Sequence, residues 1–99
     1  MIVHLLPEAI VDLENVGDYI ALDNPRRAVT FIQELRDKCL SLADMPYAFP
    51  VVPRYERFGI RHRVYGNYQI FYRVVESDER IDIVHILHSA RNYAAILFP

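Results

Sequence analysis

The sequence lacks tryptophan and contains only one cysteine and three glycines among its 99 residues. The lone cysteine, Cys39, cannot form an internal disulfide, and no Cys and His residues with metal-ligand spacing surround it. Three dispersed glycines exclude a glycine-rich loop that would cradle phosphates. No apolar run approaches the ~18 residues that a membrane span needs. We therefore expect no metal, no cofactor and no membrane partner.

The N-terminal apolar residues do not have the pattern of a signal peptide, because no basic segment precedes them and the run stops at Pro7. We therefore expect a cytoplasmic protein. Hydrophobic residues make up 53% of the chain and charged residues 24%, a balance typical of a globular fold rather than a disordered chain. At this length we expect a single domain over residues 1–99.

The net charge is small, but acidic and basic residues are unevenly distributed along the chain. A net charge of -2 excludes a polycationic surface that would coat nucleic acid. Acidic residues dominate the first half, whereas the stretch from Arg54 to Arg73 carries several arginines and only one acid, Glu56. Arginine suits planar, bidentate contacts to phosphate or carboxylate groups. The stretch therefore predicts either a contact surface or ordinary solvated strands.

The first half of the chain predicts a strand followed by a helical hairpin. The run from Ile2 to Leu6 is short, apolar and partly β-branched, which favours a strand. Pro7 opens a helix that we expect to run to about Leu22, and Asn24 is a good N-cap for a second helix. Apolar residues at helical spacing give each helix one buried stripe, namely Ala9, Leu13, Val16 and Ile20, then Ala28, Phe31, Leu35, Cys39 and Leu42.

The second half predicts an antiparallel meander. Residues 46–58 form an irregular aromatic loop, expected to pack onto the domain, and Gly66-Asn67 is a hairpin-turn signal. The two strands that follow, Tyr68 to Val75 and Ile81 to Leu87, are apolar on both faces, which places them centrally in a sheet. Residues 91–98 predict a last helical turn or a docked tail. The fold class is α+β, in the order β-α-α-β-β-β, with the helical hairpin on one face of a small, mainly antiparallel sheet.

Basic and aromatic residues gather on the predicted meander. Arg61 and Arg63 share one face by parity, Arg73 lies on the neighbouring strand, and His88 ends the last strand. Cations near one sheet edge could clamp a phosphate backbone, or stabilise the charge that develops when an RNA 2′-oxygen attacks its own phosphate. The alternative is that Arg73 pairs with a cross-strand acid such as Asp82, and that the other two arginines are merely solvated.

The remaining chemical signals are weaker. His85 and His88 are three residues apart on a predicted strand, so we expect them on opposite faces, where they are poor co-ligands. His85 is interpreted as a core residue. Ser89 directly follows His88, and adjacent residues in an extended chain do not easily form a nucleophile and its base.

The order and spacing of these segments resemble the RelE/ParE superfamily of type II toxins. The matching motifs in the second half are Gly59-Ile60-Arg61, residues 65–74 and residues 81–91. In the first half they are Pro7-x-Ala9, Asp12-Leu13, Tyr19-Ile20, Asn24-Pro25, Ala28 and Phe31. The hairpin over residues 66–73 and the Ile86-Leu87-His88-x-x-Arg91 ending are most similar to ParE.

A ParE-like identity implies a plasmid-stabilisation toxin that poisons DNA gyrase without being an enzyme. It also implies a ParD-like antitoxin as partner, through which alone the toxin would contact DNA. Asn92 stands where ParE endings often carry Asp. From the charge distribution we expect the antitoxin tail to be acidic where it passes the antitoxin-binding candidates Arg61, Arg63 and Arg73. Target-binding candidates are Arg61, Arg63, Arg73, His88, Arg91, Tyr93 and Phe98.

The RelE branch shares the fold and implies a different activity, ribosome-dependent cleavage of mRNA. Its partners would be the ribosome and mRNA. Arg73 would then hold the scissile phosphate, and His88 or Tyr93 would move a proton. The absence of lysines from the meander and the late position of Tyr93 count against this branch. The full set of endoribonuclease candidates is Arg61, Arg63, Arg73, His88 and Tyr93.

Overall fold

Three helices pack on a four-stranded sheet in the computed structural model, which describes residues 1–99. The predicted order of elements is confirmed. None of the helices combines the length and the apolar character that a membrane crossing requires. The elements are β1 (Ile2–Leu5), α1 (Pro7–Ala21), α2 (Pro25–Leu40), β2 (Ile60–Tyr65), β3 (Tyr68–Val75), β4 (Arg80–His88) and α3 (Tyr93–Leu97).

The sheet has the strand order β1-β4-β3-β2. β1 runs parallel to β4, and the other neighbours are antiparallel. β3 and β4 therefore lie centrally, as their apolar sequences predict. The Gly66-Asn67 turn joins β2 to β3, with Gly66 at a φ of 58°, a left-handed conformation that favours glycine.

The helical hairpin follows from local signals in the sequence. Pro7 and Pro25 each stand in the first turn of their helix, where a missing N–H costs nothing. The side chain of Asn24 accepts a hydrogen bond from the backbone N–H of Arg27 at 3.1 Å, so it caps α2 as predicted. After Leu40 the chain tightens into a 3₁₀ turn over Ser41–Asp44 rather than continuing the α-helix.

Two hydrophobic cores lie on opposite faces of the sheet. The main core joins the apolar stripes of α1 and α2 to one face, with Tyr72 and Ile83 fully buried in it. The second core, around Val52 and Phe71, lies on the other face and is covered by α3 and residues 50–58. Phe98 closes it by stacking on Tyr55 at 4.1 Å between ring centroids. The predictions of a packed aromatic loop and a docked tail are confirmed.

A β-bulge interrupts the pairing of the two central strands. Phe71 pairs with His85 while Tyr72 pairs with Ile83, so Val84 is an extra residue on β4. A bulge disturbs the alternation of side chains along its strand. His85 and His88 both lie beyond the bulge, and they pair with Phe71 of the second core and Tyr68 of the main core, respectively. The prediction that they lie on opposite faces is therefore confirmed, although His85 contacts Asp12 of α1.

Replacing the cap residue should test the start of α2. We expect Asn24→Ala to lower the free energy of unfolding by about 1 kcal/mol, because the N–H of Arg27 loses its acceptor. Asn92→Ala is the matched control, since Asn92 precedes α3 without any side-chain capping bond. Urea denaturation followed by circular dichroism measures both. Equal losses for the two variants would contradict the assignment of the cap.

The thiol of Cys39 should be inert in the folded protein. Cys39 is fully buried, and this burial raises the pKa of the thiol to about 12. The nucleophilic thiolate is thus absent at neutral pH. We expect no reaction with Ellman's reagent at pH 8 until denaturant is added, and then one equivalent. Rapid reaction of the native protein would contradict this.

Candidate functional site

Arg61 and Arg63 lie on the face of the sheet that carries the helices. Arg63 donates to the carbonyl oxygen of Lys38 at 3.0 Å and to Oγ of Ser41 at 2.8 Å, at the end of α2. Arg61 donates to the carbonyl oxygen of Phe49 at 2.6 Å. The guanidinium of Arg63 also lies over the ring of Phe49. Both arginines are half-buried and hold the loop after α2 in place, so the alternative that they are merely solvated is wrong.

Arg73 lies on the opposite face of the sheet. It pairs in register with Ile60 of the second core, whereas Arg61 pairs with Tyr72 of the main core. Its guanidinium lies 3.9 Å from the carboxylate of Asp82, which confirms the predicted cross-strand pair. The expectation that Arg73 joins Arg61 and Arg63 at one sheet edge is wrong, because neighbouring residues in a strand point to opposite faces.

Asp82 is the acidic residue at the centre of a cluster of charged side chains that includes Arg73. It is only 3% exposed and accepts a hydrogen bond from Nε of Arg80 at 2.9 Å. His4 of β1 lies 3.8 Å away from the same carboxylate. The hydrogen bond to Asp82 raises the pKa of Arg80, chiefly because it stabilises the charged guanidinium. Arg73 is thus one member of a charge cluster that is largely satisfied within the sheet.

A cavity of about 380 Å³ opens between α1 and the adjoining ends of β3 and β4. We call it the α1 pocket. Its walls combine an apolar floor with polar side chains at the rim, the composition typical of a binding site. It contains two of the predicted target-binding residues, His88 and Arg91. Its lining is Asp12, Asn15, Val16 and Tyr19 from α1, with Tyr68, Ile86, Leu87, His88 and Arg91.

Asp12 fixes one side of the α1 pocket. Its Oδ2 accepts a hydrogen bond from the backbone N–H of Ile86 at 2.9 Å and lies 2.7 Å from Nδ1 of His85. This carboxylate therefore connects α1 to β4 just after the bulge. His85, interpreted from the sequence as a core residue, is half-buried, lies in neither hydrophobic core, and is held by this contact with Asp12.

His88 and Arg91 form the other side of the α1 pocket. Nδ1 of His88 accepts a hydrogen bond from the backbone N–H of Ala90 at 3.1 Å, which leaves Nε2 free. The His88 ring meets Tyr68 edge-on at 5.2 Å. The guanidinium of Arg91 is exposed and forms no hydrogen bond or ion pair within the chain.

Tyr93 and Phe98 are held by the second core. Tyr93 packs against Phe71 at 5.2 Å between ring centroids, and Phe98 is stacked on Tyr55. A smaller cavity of about 350 Å³ separates residues 53–55 from residues 91–94, with Arg91 lining it as well. Among the predicted residues, the structure thus brings only His88 and Arg91 into the α1 pocket.

Sequence reasoning missed the α1 side of this pocket. Asp12 lies off the apolar stripe of its helix, so the helical pattern gave it no role, although Asp12-Leu13 is one of the motifs of the family resemblance. Its partner His85 is 73 residues away in the sequence, and no local pattern links them. Tyr19 and Tyr68 belong to motifs that carry the family resemblance, which was the one available signal.

Arg63 should act on folding. We expect Arg63→Ala to lower the free energy of unfolding by about 2 kcal/mol, because two hydrogen bonds from a charged donor are lost. Arg36→Ala is the matched control, since Arg36 lies exposed on α2 without a partner. Urea denaturation measures both. An Arg63→Ala protein as stable as the control would refute the structural role.

The family and fold comparisons agree with this geometry. The sequence profile of the ParE toxin of type II toxin-antitoxin system, parDE, matches residues 3–93. No protein with a curated description matches the chain in sequence. No three His, Cys, Asp or Glu side chains are grouped so that they could hold a metal.

Solved toxin structures share the fold. The chromosomal ParDE system of P. aeruginosa is similar with a TM-score of 0.74 at 19% identity, over 89% of this chain and 95% of that chain. The RelBE2 toxin-antitoxin complex of Mycobacterium tuberculosis follows at 0.67 and 18%, over 88% and 95%. The intact RelBE complex of E. coli gives 0.64 and 12%, over 91% and 98%. The predicted fold class is confirmed.

The profile match spans nearly the whole sequence, and the three-helix, four-stranded architecture is the one seen in the solved toxins. The chain therefore belongs to the ParE toxin family of type II toxin–antitoxin systems.

Proposed function

We propose that this toxin inhibits DNA gyrase in the cytoplasm by binding it, without catalysing a reaction, and that a ParD-like antitoxin neutralises it. The separation of the arginines carries the proposal. Arg61 and Arg63 are engaged with backbone carbonyls on the helix side, and Arg73 is paired with Asp82 on the other face. RNA cleavage needs a cation and a proton-transfer group converging on one phosphate. The three arginines do not converge in this way.

The exposed end of β4 is the best-placed surface for the target. His88 and Arg91 are exposed, lie together at the α1 pocket and form no ion pair. Tyr93 and Phe98 follow on the docked tail, where they shape the adjoining surface. Residues 88–98 therefore supply a cationic and aromatic patch that can bind without needing a reactive group.

The antitoxin assignment rests on the family and on the complexes among its structural relatives. The similar ParDE and RelBE structures are described as toxin–antitoxin systems or complexes. Of the three arginines proposed to meet an acidic antitoxin tail, Arg73 has 48% of its side chain exposed. Arg61 and Arg63 are engaged with their own chain, so an acidic tail would add to existing hydrogen bonds there.

A second candidate function is the ribosome-dependent endoribonuclease activity of the RelE branch. The observation that favours it is the proximity of the free Nε2 of His88 to the unpaired Arg91 at one pocket. An imidazole can move a proton while a guanidinium holds a phosphate. Arg61, Arg63 and Arg73 are engaged elsewhere and do not line this pocket. The endoribonuclease activity is therefore the weaker candidate.

A gyrase supercoiling assay with purified toxin tests the proposal. We expect loss of supercoiling and accumulation of cleaved DNA, both relieved by the antitoxin encoded beside the toxin. Arg91→Ala should weaken the inhibition, because it removes an unpaired cation from the proposed contact surface. Arg36→Ala, which removes an unpaired cation from α2, should inhibit as the wild type does.

The same preparations should be added to a translating ribosome with mRNA. Intact gyrase activity, at concentrations that still halt growth, would refute the gyrase proposal. Cleaved mRNA would then favour the second candidate, and Arg73→Ala and His88→Ala would become the informative variants.

A further inference from the structure

The α1 pocket contains a hydroxyl group that nothing in the chain satisfies. Tyr68 is only 8% exposed and lines the pocket, yet its hydroxyl forms no hydrogen bond. No fully enclosed side-chain nitrogen or oxygen lacks a partner, so this hydroxyl reaches the surface. The surface that it reaches is the pocket, beside Tyr19. A nearly buried tyrosine normally finds a partner for its hydroxyl, and here only water or a bound ligand can supply one.

Among the polar side chains that line the pocket with Tyr68, Arg91 and His88 offer free donors, whereas Asn15 and Tyr19 can donate or accept. The guanidinium of Arg91 is unpaired, and Nε2 of His88 is free because Nδ1 accepts from Ala90. Burial raises the pKa of the Tyr68 hydroxyl, so it stays protonated and can donate. The one acid, Asp12, already accepts from the N–H of Ile86 and contacts His85. The pocket therefore fits a ligand group that accepts hydrogen bonds and carries negative charge.

The ligand must also have an apolar part. Val16 and Ile86 of the main core form the floor of the cavity, and about 380 Å³ is enough for one large side chain and a neighbouring carboxylate. An acidic residue beside a hydrophobic one in a peptide has this chemistry. The carboxylate would lie between Arg91 and Tyr68, with the apolar side chain on the floor.

A nucleic acid fits the same pocket less well. α1 carries Glu8, Asp12, Glu14 and Asp18, and a phosphate backbone would bring several further negative charges against this helix. A single carboxylate directed at Arg91 avoids most of that repulsion. The charge pattern therefore favours a peptide.

We propose that the α1 pocket receives an acidic residue of the antitoxin, flanked by a hydrophobic residue, in contact with Arg91, His88 and Tyr68. This inference rests on the proposed function, since it names the contact by which the antitoxin neutralises the toxin. A segment anchored there covers His88 and Arg91. It thereby blocks the surface proposed to bind the target.

The affinity of toxin variants for the antitoxin encoded beside the gene tests the proposal, measured by isothermal titration calorimetry. Arg91→Glu should weaken binding by about tenfold or more, because attraction becomes repulsion. Tyr68→Phe should weaken it about three- to tenfold through one lost hydrogen bond. Tyr68→Phe breaks no bond within the toxin, so its melting temperature should stay unchanged. Arg36→Glu, the same charge reversal on exposed α2, should bind as the wild type does.

A charge exchange identifies the partner residue. Each acidic residue of the antitoxin is replaced by Arg in turn, and one such variant should bind wild-type toxin weakly and restore binding to Arg91→Glu.

The proposal is overturned if Arg91→Glu and Tyr68→Phe both bind the antitoxin with wild-type affinity, or if no exchange restores binding, while the wild-type complex still forms. Binding of single-stranded RNA that depends on Arg91 and Tyr68 overturns the peptide assignment. Failure of the wild-type toxin to bind the antitoxin refutes this proposal and the proposed partner together, whereas failure to inhibit gyrase refutes only the target.

Discussion

The carboxylate of Asp12 is the contact that joins the helical layer to the irregular part of the sheet. It accepts the N–H of Ile86 and meets the ring of His85, so one side chain of α1 binds two consecutive residues of β4. These residues lie just beyond the bulge at Val84, where the ladder is disturbed and the strand bends. Holding α1 at this point sets the width of the α1 pocket and the position of His88. The shape of the α1 pocket thus depends on the contact of Asp12 with β4, which lies at the edge of the pocket.

The arginines of the meander have different structural roles. Arg61 and Arg63 connect β2 to the loop after α2, through carbonyl oxygens and aromatic faces. Arg73 and Arg80 hold the buried Asp82 on the other face. Arg91 alone among the arginines of the proposed sites is left without a partner. The number of arginines in a stretch therefore does not by itself indicate a binding partner. The face of the strand on which each arginine lies, and the acceptors within reach of its guanidinium, are more informative.

Local physical chemistry explains why the fold was predictable and the site was not. Pro7, Asn24-Pro25 and Gly66-Asn67 act within a few residues, so their sequence determines where helices start and strands turn. The bulge at Val84 depends on how two complete strands align, and no residue near it signals an extra position. It shifts the alternation along β4, so that Ile83 and Ile86, three residues apart, both lie in the main core. The pairing of Asp12 with His85 joins residues far apart in the chain. That Arg91 has no partner, whereas Arg61, Arg63 and Arg73 have one, depends on which acceptors the complete fold brings near each guanidinium.

One fold can support two toxin activities because the sheet surface, and not the core, decides them. The main core of this chain is apolar, and it is compatible with a sheet surface suited to either activity. An endoribonuclease needs its cations free on one face, whereas in this chain two of the candidate arginines hold the loop that closes the helix side. Releasing them for RNA would cost the hydrogen bonds that fix that loop. The structural use of Arg61 and Arg63 thus leaves Arg91, just beyond the end of β4, as the candidate arginine whose guanidinium has no partner within the chain.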